Sequence, residues 1–205
     1  MGALDAAALE KEDVLRLLSS VLAPRPLLLL STISAEGRVN LAPFSSVVPL
    51  AAMPPLLGIV IHPSAEGERK TTLSNIDATS EFVAHPVTAE FLDECVRLSA
   101  RVPEDSGELA ARLRLAPSDL VKPPRALALP IQIECRKRDL YEPAGTEATL
   151  VVAEIVRLHV GGGLYDGASP VLERFQWIGH VATLAPGSYA FTRGGELVRV
   201  SVNRP

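Results

Sequence analysis

Only two cysteines, Cys95 and Cys135, occur in the 205 residues. They are only two, and nothing around them looks like a disulfide scaffold or a metal site. Aromatic residues make up 4% of the chain, which leaves few candidates for stacking on a heterocycle. Basic residues are not in excess: 20 Lys and Arg stand against 24 Asp and Glu, a net charge of −4. That balance excludes the broad cationic footprint of a nucleic-acid binder, so any phosphate must be held locally by a few groups. The longest apolar run, Leu27 to Leu30 with its neighbours, falls far short of the ~20 residues that span a bilayer, so no membrane association is expected. The first eighteen residues mix alanine with Asp5, Glu10, Lys11, Glu12, Asp13 and Arg16. A secretory leader would instead begin with basic residues followed by an apolar stretch. Ala6 stands where a myristoylation motif starting at Gly2 needs Ser or Thr. Together these absences point to a cytoplasmic protein. No Ser-His-Asp order and no metal-ligand set is visible, so no catalytic residue is assigned and no metal is expected. His62, His85, His159 and His180 are scattered and read as structural or surface groups.

What remains is the composition of an ordinary globular chain, 47% hydrophobic and 21% charged. Its length suits one domain, residues 1–205, with 1–23 as a helical extension. Apolar positions at Leu9, Val14, Leu17, Leu18, Val21 and Leu22 repeat with a helical period that ends at Ala23-Pro24. Leu27–Ile33 is a strand-like run, Ala35-Glu36-Gly37-Arg38 a hairpin turn, and Val39–Ala42 the returning strand. Leu56–Ile61, Glu81–Val87, Ile131–Lys137, Ala148–His159 and Glu196–Val202 have strand character; 70–79 and 88–101 have helix character. Thr88 is placed to cap the second helix, with Phe91, Leu92, Cys95, Val96 and Leu98 facing inward. Residues 103–125 carry prolines, glycines and charges, and read as a surface excursion with at most short helices. Many short strands with helices between them predict a mainly β barrel or sandwich rather than a βαβ sheet.

Three stretches carry polar chemistry. In the first, Pro24-Arg25-Pro26 leads through Ser31-Thr32 and the turn to Asn40-Leu41-Ala42-Pro43-Phe44-Ser45-Ser46. Proline inside a strand pattern demands an edge or a bulge, where backbone amides stay open to a planar heterocycle. An edge strand with a proline kink and solvated serines fits the same residues. The second, Met53-Pro54-Pro55, is a stiff strand entry. The third, Glu68-Arg69-Lys70-Thr71-Thr72-Leu73-Ser74-Asn75-Ile76, puts basic and hydroxyl groups at a helix start. Open first-turn amides and the helix dipole suit a phosphate there, although a capped, solvated helix start fits as well.

Taken in order, these stretches resemble the flavin reductase-like family of split barrels that bind flavin mononucleotide (FMN). That family includes nitrilotriacetate monooxygenase reductase components and flavoredoxins. The likeness continues through Glu81-Phe82-Val83, Leu120-Val121-Lys122-Pro123-Pro124-Arg125, Ile133-Glu134-Cys135 and a Gly-x-x-Tyr that ends at Tyr189, covering about residues 24–195. The resemblance implies a mainly β FMN-binding split barrel, a closed Greek-key barrel with peripheral helices. It also implies a homodimer with FMN at the subunit interface. Asn40, Ala42, Pro43, Ser45 and Ser46 match the segment along the isoalloxazine and ribityl chain, and Ser31 and Thr32 the strand beside it. Lys70, Thr72 and Asn75 match the phosphate end, and Tyr189 an aromatic that covers the flavin.

The implied activity is that of an NAD(P)H-dependent flavin reductase, an oxidoreductase that serves a separate monooxygenase partner. The alternatives are an electron-transfer flavoprotein of flavoredoxin type, or an FMN enzyme with its own small organic substrate. Four positions depart from the family pattern. Thr71 stands in place of an acidic residue, Val47 and Val48 in place of aromatics, and His180 follows Gly179 where arginine is usual. Cys135 reads as a buried small hydrophobe, and Trp177 as a core or dimer-interface residue.

Overall fold

The computed structural model describes residues 5–64, 66–99, 106–161, 163–168, 178–185, 188–193 and 196–201. Helix α1 (Lys11–Val21) precedes β1 (Arg25–Pro26), β2 (Leu28–Ile33), β3 (Val39–Phe44), β4 (Val47–Ala52) and β5 (Pro55–Ile61). Next come α2 (Thr71–Thr79), β6 (Glu81–Pro86), α3 (Leu92–Ser99), α4 (Ser106–Leu113), β7 (Leu115–Ala116) and β8 (Arg125–Ala126). The long strands β9 (Ile131–Tyr141) and β10 (Thr149–Val160) follow, then β11 (Ile178–Ala185), β12 (Ser188–Arg193) and β13 (Glu196–Ser201).

The main sheet has seven strands in the order β3-β2-β6-β9-β10-β5-β4. Its two outermost strands, β3 and β4, are consecutive in the chain and joined by Ser45-Ser46 alone. A seven-stranded sheet whose edges are linked by two residues rolls so that β3 and β4 adjoin at that corner, while β3 forms no ladder with β4 along its length. The Val60 amide donating to the Ser46 carbonyl at 2.8 Å ties the corner to β5. The fold is therefore a mainly β split barrel with peripheral helices. A second sheet, β1-β11-β12-β13, is antiparallel; in it β1 sets Arg25 opposite His180.

The unbroken apolar run at 27–30 follows from this layout, because β2 is covered on both faces. Side chains alternate across a strand. Leu28 and Leu30 enter a core with Phe44, Ile59, Ile61, Ile76, Phe82 and Val151. Leu27 and Leu29 enter a second core with Phe91, Leu92, Cys95, Leu109, Leu113, Leu129 and Phe191. The hairpin after β2 turns at Gly37, whose φ of +86° is one that glycine adopts without a Cβ penalty.

Several expectations change. The 103–125 stretch does more than cross the surface, because α4 sends Leu109 and Leu113 into the second core and Val121 is buried too. The return strand runs on to Phe44 and includes Pro43, which the outermost strand of a sheet tolerates. Strands β4, β11 and β12 were not anticipated. The helix at the N-terminus is present and lies against β11, yet Leu17, Leu18, Val21 and Leu22 on it stay exposed.

Candidate functional site

Thr32 on β2, Asn40 on β3, and Thr72 and Asn75 on α2 converge into one buried hydrogen-bonded group. The Asn40 Nδ2 donates to Thr32 Oγ1 at 3.3 Å and to Thr72 Oγ1 at 3.0 Å. The Asn75 Nδ2 donates to Thr32 Oγ1 at 3.1 Å. Thr72 and Asn75 lie on the inner face of α2 with Leu73 and Ile76, so this group fixes the first turn of the helix against the β2–β3 hairpin. No side chain caps that helix at Lys70, so its first-turn N–H groups lack the usual side-chain acceptor. The Lys70 ammonium sits 5.5 Å from the centre of the Phe44 ring, at the far end of β3. A helix start without a cap, with a lysine beside it, is suited to an anion.

A second polar group forms at the corner where β3 passes into β4. The Arg25 guanidinium donates through Nη2 to His180 Nδ1 at 2.6 Å and through Nη1 to Ser46 Oγ at 3.3 Å. Ser45 Oγ lies 3.3 Å from the same His180 nitrogen. Because Arg25 can only donate, Nδ1 of His180 is the bare nitrogen and Nε2 carries the proton. The ring is buried and tilts against Phe191 with 5.4 Å between centroids. Among the described residues the buried Arg25 Nε has no hydrogen-bond partner, and burial pulls the guanidinium below its ordinary pKa. A cationic N–H so placed calls for an acceptor.

β3 connects the two groups. It is an edge strand, so half of its backbone polar groups have no neighbouring strand, and Ala42 and Pro43 lie half-buried along it. The expected residues fall into place unevenly. Thr32, Asn40, Thr72 and Asn75 come together, and Ser45 and Ser46 sit at the other end with Lys70 between. Thr72 turns its hydroxyl inward to Asn40 rather than outward. Alternation along β2 places Ser31 on the face opposite Thr32, beside Leu29, where its buried Oγ has no partner among the described residues. Tyr189 pairs with Thr183 and Val200 on β12, and its side chain lies outside the described residues, as does Trp177.

The sequence alone did not reveal Arg25 with His180. Arg25-Pro26 is plain in the chain, but its partner comes 155 positions later, and only the β1–β11 pairing brings the two together.

A third polar group lies elsewhere, at the 117–126 segment. Glu134 on β9 is wholly buried and accepts the Asp119 amide at 2.9 Å, the Leu120 amide at 2.7 Å and His159 Nε2 at 2.7 Å. Burial alone would raise its carboxyl, but these donors bring it below the ordinary value. The oxygens of Asp119 and Glu134 and a nitrogen of His159 lie within 4.8 Å of one another. Arg125 already fills the place of a cation there, donating to His159 Nδ1 at 2.9 Å and pairing with Asp119 at 3.3 Å. This is a structural brace. The remaining buried titratable groups are structural as well. His85 bridges the Leu29 carbonyl and the Ala126 amide, each at 3.0 Å, and desolvation lowers its pKa to about 4. Burial pushes the Cys95 thiol up to about 12, and raises that of Cys135.

Known proteins share this arrangement of strands. An uncharacterized protein of Halalkalibacterium halodurans is 28% identical over 202 residues, covering 96% of this chain and 97% of its own. The crystal structure of nitrilotriacetate monooxygenase component B from Bacillus cereus superposes with a TM-score of 0.83 at 25% identity, covering 96% of both chains. That of Pseudomonas fluorescens 2-nitrobenzoate 2-nitroreductase superposes with a TM-score of 0.81 at 24% identity, covering 98% of this chain and 96% of that one. The Flavin reductase like domain family matches residues 20–175, a span that holds β3, the α2 start and both ends of the polar edge. The chain belongs to the flavin reductase-like family.

Proposed function

We propose that the protein binds FMN along the open edge of β3 and is an NAD(P)H-dependent flavin reductase. One observation carries this reading: the open edge strand ends in two complementary polar stations. At one, the uncapped start of α2 beside Asn40 suits a phosphate, and its Lys70 reaches along β3 towards Phe44. At the other, the Arg25 Nε, beside the Ser45 and Ser46 hydroxyls, has no acceptor among the described residues, which suits the carbonyl-rich edge of a flavin ring. The residues present therefore fit the group. Lys70 and the first-turn amides of α2 would hold the phosphate, with Thr72 and Asn75 keeping that turn in place. Asn40, Ala42 and Pro43 would line the ribityl chain, and Ser45, Ser46 and Arg25 the ring. FMN, when bound, would supply the hydride-accepting redox chemistry. The chain's own part is to orient the ring, keep water from one face and balance its charge.

The reading includes a homodimer in a cytoplasmic setting. Two features support the dimer: β4 exposes Val48 and Leu50, and the turn beyond it exposes Met53. Apolar edges of this kind are normally covered. Among the described residues no helix is long and apolar enough to cross a membrane. A monooxygenase that receives the reduced flavin is the proposed partner, as the name of the Bacillus cereus component suggests for that protein.

The test is the visible spectrum of the protein loaded with FMN, taken without oxygen before and after NADH and NADPH. Bleaching by either, with continued nicotinamide oxidation when excess FMN and air are supplied, is the expected result. A flavin that binds but is bleached by neither donor would replace the reductase reading with electron transfer of flavoredoxin type. Failure to bind FMN at all would remove the reading.

A further inference from the structure

We infer that Arg25 sets the reduction potential of the flavin, and that His180 and Ser46 are the positioning residues that aim it. The inference rests on the FMN reading above. Three observations lead to it. Arg25 is anchored at both terminal nitrogens, to His180 Nδ1 and Ser46 Oγ, which leaves the guanidinium little rotational freedom. Its third donor, Nε, is buried and without an acceptor among the described residues. The anchoring points belong to different sheets, since His180 is on β11 and Ser46 joins β3 to β4, so the charge is held where the two sheets meet.

A cation locked in place by neutral partners is uncommon. His180 gives Arg25 a lone pair rather than a negative charge, and serine likewise offers no charge. Among the described residues no carboxylate pairs with the guanidinium, so no ion pair there neutralises its charge. A fixed positive charge beside a ring that gains negative charge on reduction favours the reduced form, and the effect is strong because the site is partly desolvated.

The experiment is a redox titration of the full-length, FMN-loaded protein against a dye of known potential, for the parent, R25Q and R25K. FMN affinity is measured separately by fluorescence. With FMN still bound, R25Q should shift the equilibrium ratio of reduced to oxidised flavin at fixed poise by at least about tenfold towards oxidised. For two electrons this corresponds to about 30 mV more negative. R25K keeps the charge and should recover more than half of that shift. A potential in R25Q equal to the parent's overturns the inference while leaving the FMN reading intact. So does a potential in R25K that falls as far as in R25Q. If R25Q does not fold, R25K against the parent with the His180→Phe variant carries the test. His180→Phe removes the lone pair that aims Arg25 and should lower the potential in the same direction; no change would count against the inference. A parent protein that shows no FMN binding removes both this inference and the reading beneath it.

Discussion

Replacing Glu134 by glutamine tests the brace that holds the 117–126 segment against the barrel. The carboxylate has no exposed surface and takes three donors: the amides of Asp119 and Leu120 and the His159 Nε2–H. Glutamine keeps one acceptor oxygen. If that oxygen stays with Asp119 and His159, the new NH2 faces the Leu120 amide, donor against donor. The charge-assisted bond to Leu120 is lost, costing about 1.5–3 kcal/mol, and a buried N–H without an acceptor adds about 1–3 kcal/mol. The expected loss is therefore about 3–5 kcal/mol, a large share of the roughly 5–15 kcal/mol that stabilises a domain. In urea this corresponds to a midpoint lowered by more than about 1 M.

The pH dependence gives a second check, and its sign is fixed. The folded Glu134 carboxyl lies below its ordinary value. The ionised form therefore stabilises the fold above about pH 4.3, the unfolded value, and that stabilisation disappears as pH falls through the folded value. The gap between parent and Glu134→Gln should be full at neutral pH and shrink in acid. A neutral-pH difference under about 1 kcal/mol, or a gap that widens as pH falls, would refute this account of the brace.

Other outcomes follow from the same geometry. Lys70→Ala should weaken FMN binding about tenfold while changing riboflavin, which lacks the phosphate, by less than threefold in fluorescence titrations. His85 is buried neutral with a pKa of about 4 against 6.5 when unfolded, so the unfolded chain binds the extra proton first. Parent stability should decline from pH 6.5 towards 4 by on the order of 3 kcal/mol, and His85→Phe should remove most of that slope in denaturation profiles. Leu50→Glu on the exposed face of β4 should convert the proposed dimer to monomer in analytical ultracentrifugation; an unchanged mass would place the interface elsewhere.

How far the sequence could be read depended on how locally each feature was encoded. Strands buried on one or both faces were readable because their apolar residues are contiguous or alternate, as in Leu27–Ile33 and Leu56–Ile61. β4 was not, because it is apolar on both faces yet exposed from Val48 to Ala52, and Pro49 and Pro54 interrupt its reading. The 103–125 stretch misled because its prolines and charges outweighed two residues, Leu109 and Leu113, that reach the core. Asn40, Thr72 and Asn75 were singled out through motifs that lie within single elements, and the fold brings them together. Ser31 was grouped with Thr32 because the two are neighbours in the chain, whereas pleating sends neighbours to opposite faces. The Arg25–His180 contact and the Glu134–His159–Arg125 brace depend on strand pairings that no local pattern records.

The open edge of β3 has a consequence for handling the protein. Among the described residues its outward amides have no partner strand, so they should exchange with deuterium quickly in the empty protein and slowly once the proposed ligand lies across them. The exchange map would thus outline the bound molecule, colourless analogues included. The same row of unpaired groups is also a template for a strand from another chain, and Pro43 blunts it at only one position. Occupancy should therefore protect the chain from edge-to-edge aggregation, and protein prepared without its ligand should lose solubility first.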